Sequence, residues 1–170
     1  MSFDLHLQHF SAGDSAATKT APVLKVLSKQ KHKGPDEFGY YRVEFVDGVH
    51  VEFNADGLKS KEPFTSCAFN IRGISLPVIQ FVFDVACAGN FVIFNCQGED
   101  SEDSPVLIQI SPDQESQLPE GVVTQYANRP ICESAKQLGN LLFVGYDEWQ
   151  KYRDKVVKKL SRSRQTKRSS

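Results

Sequence analysis

Four carboxylates fall within five residues, Glu99, Asp100, Glu102 and Asp103, in the run GEDSEDS. Clustered oxygen ligands are what hard divalent cations require. An EF-hand loop, however, places its acids at alternating positions around a central Gly and closes on a distal bidentate Glu. Here the acids come as two adjacent pairs with no Gly between them, and no such Glu follows. The run does not match a Gly-rich calcium-binding repeat either. The spacing therefore argues against a metal cage, and no cofactor is expected.

The other reactive side chains are scattered. Cys67, Cys87, Cys96 and Cys132 each stand alone among apolar neighbours, with no Cys-x-x-Cys and no His at ligand spacing. They read as reduced, small core residues. Of His6, His9, His32 and His50, His6 and His50 are placed where they could meet from neighbouring strands, though His50 reads as solvent-facing. The phosphate-loop pattern G-x-x-x-x-G-K-[ST], the dinucleotide pattern G-x-G-x-x-G and the hydrolase elbow G-x-S-x-G are all missing from the sequence. The expectation is a protein that is not an enzyme. The alternative is an enzyme of unknown type, with a Cys–His or carboxylate site assembled in space.

A second acidic group lies in KGPDEFGYY, where Asp36 and Glu37 adjoin aromatic residues. Aromatic anchors ringed by charge are the make-up of an energetic hot spot at a protein interface. Asp36, Glu37, Tyr40, Glu99, Asp100, Glu102 and Asp103 are thus the candidate partner-binding residues. Ordinary solvation of two charged turns is the competing reading.

Charge sharpens the choice of partner. The formal net charge of −1 hides a division. Residues 1–150 carry 11 Lys/Arg against 20 Asp/Glu, a net of −9, and residues 151–170 carry 9 Lys/Arg against the single Asp154, a net of +8. An acidic body suits a basic protein partner and argues against direct nucleic-acid binding, because it repels a phosphate backbone. A nucleic-acid accessory role working through the tail is the third reading.

These groups need elements to hold them. Alternation in Phe3, Leu5 and Leu7 predicts a strand, followed by a loop over Ser11–Lys19. Thr20 reads as the cap of a helix that carries Pro22 in its first turn and fades in KQKHKG. Two β-rich runs, Gly39–Val46 and Val49–Phe53, flank Asp47-Gly48, which predicts a tight turn with positive φ at both central residues. Ser66–Ile71 reads as a further strand. A mostly apolar helix should run from Ser75-Leu76-Pro77 to a stop at Gly89, with Asp84 on an exposed strip beside Gln80 or in a buried pair with Arg72 or Arg129. Phe91–Phe94 and Val106–Ile110 read as inner strands bracketing GEDSEDS. Helices over Glu133–Leu142 and Asp147–Leu160 complete the chain.

The resulting fold class is α+β: a mainly antiparallel sheet of about six strands with helices packed against it, on one face. At 170 residues, the chain reads as one domain over residues 1–160, with a disordered basic tail over 161–170. With 40% apolar and 24% charged residues the composition is that of an average globular protein. No apolar run approaches the ~18–20 residues of a membrane helix, and the N-terminus does not look like a signal peptide, so the cytoplasm is the expected location.

The opening M-S-F-D-L-x-L-Q-x-F, with Gly13-Asp14 after a short loop, resembles the start of small bacterial immunity proteins. These accompany polymorphic toxins, including contact-dependent growth inhibition systems. The likeness covers about the first fifteen residues, with overall size and acidity. It implies a cytoplasmic, non-enzymatic inhibitor that binds and neutralises a cognate toxin domain, many such toxins being nucleases with basic clefts. It assigns no contact residue.

Overall fold

The computed structural model describes residues 3–143 together with Lys158, Lys159, Ser161, Arg162 and Arg164. The first strand described lies inside the sheet. Strand β1 (Phe3–Gln8) buries Leu5 and Leu7 on one face and turns Asp4, His6 and Gln8 to the other, as strand periodicity requires. It lies between β7 (Ser66–Ile71) and β8 (Val92–Asn95), antiparallel to both, in register from Phe3 opposite Ile71 and Leu5 opposite Asn95.

The remaining strands are β4 (Lys31–Lys33), β5 (Tyr40–Glu44), β6 (His50–Asn54) and β9 (Leu107–Ile108), and the order is β4-β5-β6-β7-β1-β8-β9. All seven pair antiparallel. Strand β4 was hidden in KQKHKG, where a fading helix was expected. Its lysines look like a helix C-terminus, yet Lys31 and Lys33 pair with Glu44 and Arg42 at the sheet's edge.

Three helices pack on the face that carries Leu5 and Leu7: α1 (Thr20–Ser28), α2 (Leu76–Gly89) and α4 (Ala135–Leu142). Lys19, not Thr20, is the cap residue of α1, and no side chain there accepts a capping hydrogen bond. Helix α2 starts as expected, with Ser75 accepting from Val78 N, but Asn90 at φ 51 supplies the left-handed stop after Gly89. Its Phe81 stands edge-on to Phe45, Phe53 and Phe69, each 5.7 Å away between ring centres. Asp84 takes the exposed-strip option, accepting from Gln80 Nε2 at 2.8 Å.

The hairpin between β5 and β6 differs in detail from expectation. Phe45 N donates to Val49 O and Gly48 N to Phe45 O, so Val46, Asp47 and Gly48 form a three-residue loop. Of these only Gly48 has positive φ, at 82. Such a loop needs one left-handed residue where a two-residue turn needs two. The two-residue kind occurs elsewhere, between β2 (Phe10–Ser11) and β3 (Asp14–Ser15), within the expected loop. There Ala12 at φ 51 and Gly13 at φ 81 are pinned by Gln117, whose side-chain and backbone oxygens accept from their amides.

The second face of the sheet is apolar only around β8 and β9. Val92, Leu107 and Leu118 pack there with Phe10, Phe94 and Tyr126. A 3-10 helix (Pro112–Gln117) and α3 (Glu120–Gln125), neither expected from the sequence, cover that corner. Cys67 and Cys132 are buried as expected, whereas Cys87 and Cys96 are exposed; Cys96 lies on the polar face, and Cys87 on α2. Among the described residues no helix is long and apolar enough to cross a membrane. The expected helix 147–160 and tail 161–170 lie outside the described residues, save for Lys158, Lys159, Ser161, Arg162 and Arg164, whose backbone is helical.

Candidate partner-binding surfaces

Asp36 belongs to the loop between β4 and β5, and Tyr40 opens β5. Asp36 Oδ1 accepts from Phe38 N and Tyr40 N, both at 2.9 Å, while Asp36 N donates to Tyr40 O and Gly39 N to Asp36 O. The short carboxylate replaces backbone partners inside the turn, as Asp does where a chain reverses tightly. Gly34, at φ 112 and before a cis Pro35, lets Tyr40 O sit where a side chain would otherwise be: a Cβ there would fall 2.6 Å from it. The loop is therefore held in one shape, and it carries Phe38, 68% exposed, with Tyr40, 40% exposed, at its end. Glu37 is exposed beside them.

Beside this loop runs an open groove of about 390 Å³, lined by Lys33, Asp36, Phe38, Tyr40, Arg42 and Glu52 among others. The sheet register explains its mixed charge, since Lys33 lies opposite Arg42 and Arg42 opposite Glu52 on the polar face. Lys31 is held by Glu44 at 2.8 Å, and that contact, helped by Arg42 and Lys33, holds the Glu44 carboxyl below its ordinary range.

The second predicted cluster, GEDSEDS, forms the tip between β8 and β9. Glu99, Glu102 and Asp103 are exposed. Asp100, at φ 55, turns back and accepts from Ala127 N at 3.2 Å and Asn128 N at 3.4 Å. Asn128 Nδ2 also donates to Ser101 O. The tip is closed by Glu99 N and Ser101 N donating to Ser104 O, and by Gly98 packed against Pro105. One of the four acids thus braces the tip and three face outward.

The two clusters do not form one surface. Tyr40 lies on the register row of His6, so its loop extends beyond the Gln8 end of β1. GEDSEDS follows Asn95, beyond the Leu5 end. Four strand spacings, about 19 Å, separate β5 from β8 across the sheet. They occupy opposite corners.

Nearby, Arg129 organises a polar network of a different kind. Its Nε and Nη2 donate to Glu115, the latter at 2.7 Å, and its Nη1 donates to the carbonyls of Val123 and Tyr126. Gln109 Nε2 donates to the same Glu115 at 2.7 Å. The Arg129 hydrogen bond, with help from Gln109, holds the Glu115 carboxyl below its ordinary value. The network ties α3 and the 3-10 helix to the sheet.

The two histidines expected to meet are separated, while Cys96 lies beside the backbone of His6. Strand β7 lies between β1 and β6, so His6 and His50 are not on neighbouring strands. Burial pushes all four thiols up, Cys132 to about 12, whereas an activated nucleophile needs a lowered pKa. Among the described residues no three His, Cys, Asp or Glu side chains are grouped to hold a metal ion.

Phe38 and the groove residues Lys33, Arg42 and Glu52 were not among the sequence candidates. The glycines flanking DEF were the available signal for the loop, but the groove depends on strand β4, which the sequence concealed. Compared with protein-family models, curated proteins and solved structures, the chain gives no match.

Proposed function

We propose that this protein is an immunity-type inhibitor that acts in the cytoplasm by binding a basic toxin domain, a nuclease being the toxin class that best suits its charge. One observation carries the reading. Acidic side chains stand exposed on two loops whose backbones Asp36 and Asp100 hold in place by hydrogen bonds. Fixed negative charge steers a basic partner and loses little freedom when it docks. Inhibition then works by steric and electrostatic blocking, with no bond made or broken. The test is titration of the purified protein against the toxin domain encoded beside its gene, together with co-expression in toxin-producing cells. Binding below micromolar concentration with rescue of growth is expected; no binding at micromolar concentration, or no rescue, would remove the reading.

A further inference from the structure

The two acidic corners are not equivalent, and the difference says where the partner is gripped. We propose, resting on the function above, that the Gly34–Tyr40 corner is the anchor, with Phe38 entering an apolar pocket rimmed by Lys or Arg on the toxin domain.

The first support is Phe38 itself, the most exposed aromatic side chain among the described residues. Most other described phenylalanines are buried or pack on the two cores, which marks Phe38 as surplus to the fold. Its backbone is already fixed by Asp36, so docking requires ordering of one ring and not of a loop. Rigid aromatic anchors of this sort dominate interface energetics.

Charge supplies the rest. Asp36 and Glu37 immediately precede Phe38 in sequence, and Asp56 lies against Gly39, where an added Cβ would come within 3.0 Å of it. Among the described residues none of these three carboxylates is in an ion pair. An apolar wedge with an unpaired acidic rim matches a pocket with a basic rim. Lys33 and Arg42 line the groove, Arg42 with its Nε 4.0 Å from Glu44, and Lys33 is placed to meet the partner's carbonyls or carboxylates. The GEDSEDS tip offers charge without any large exposed apolar side chain, so its part is to steer approach.

Two variants at the anchor and one at the tip separate these roles: Phe38→Ala, Glu37→Lys and the double change Glu99→Lys/Glu102→Lys. All four positions are exposed, so unchanged thermal unfolding is expected throughout. Surface plasmon resonance with the neighbouring toxin domain should show Phe38→Ala weakening binding at least tenfold, chiefly through faster dissociation. Glu37→Lys should weaken it at least threefold. The tip variant should slow association while leaving dissociation within about threefold of wild type. A loss below tenfold for Phe38→Ala, or a larger dissociation effect at the tip than at Phe38, would overturn the anchor while leaving the inhibitor reading intact. A wild-type protein that fails to bind would instead remove both.

Discussion

At the residue scale, the same chemical type does opposite jobs. Asp36 and Asp100 hold backbone amides, whereas Glu37 and Glu102 beside them bond to nothing in the described structure. Asp36→Ala leaves two amides without their acceptor and should lower stability by about 1 kcal/mol in urea unfolding, with Glu37→Ala within about 0.5 kcal/mol of wild type. Ala12 is the reverse case, a side chain in a left-handed conformation that suits Asn or Gly. Ala12→Asn should therefore raise stability by about 0.5–1 kcal/mol in the same measurement. Neither role could be read from the sequence, because an acid in a turn looks alike whether it faces the chain or the water. The exposure of Asp36, Glu37 and Tyr40 was legible, since charged residues and Gly surround them; the bracing role of Asp36 was not.

At the element scale, the parts read correctly were those with strong periodicity. β1, β7 and α2 declare themselves by alternation or by a mostly apolar circumference, and α2 by Ser75 and Pro77 as well. The misreadings share a physical cause. β4 is only three residues long and polar, so it has no pattern of its own and exists because β5 offers it partners. The 3-10 helix and α3 are likewise fixed by tertiary contacts, above all by Arg129. Arg129→Ala would leave Glu115 with Gln109 as its one side-chain donor and strip the carbonyls of Val123 and Tyr126 of theirs, at a cost of about 1–2 kcal/mol in urea unfolding. The pH dependence follows from the same network. The folded Glu115 carboxyl titrates below its ordinary value of 4.5. It therefore stabilises the fold above that pH, and the contribution is lost as pH falls through the lowered value. Glu115→Gln should flatten the loss of stability as the pH falls below the ordinary carboxylate value.

At the scale of the whole molecule, charge is distributed by segment, with a net of −9 in residues 1–150 and +8 in residues 151–170. If a basic toxin is steered by the body, the tail opposes that steering. Removing residues 161–170, which carry Arg162, Arg164, Lys167 and Arg168, should raise the association rate severalfold at low salt. The gain should vanish near 0.5 M NaCl, where screening is short-ranged, as stopped-flow mixing would show.

The central place of β1 carries a consequence in time. The first strand described is flanked on both sides, by Ser66–Ile71 and Val92–Asn95. The partners of Leu5 and Leu7 come from strands dozens of residues further along the sequence. Sheets closed by such distant pairings fold slowly, because loop closure precedes any reward from contact. If the protein is the inhibitor proposed above, it is poorly suited to being made on demand. Protection against an incoming toxin would depend on a standing pool of molecules folded beforehand.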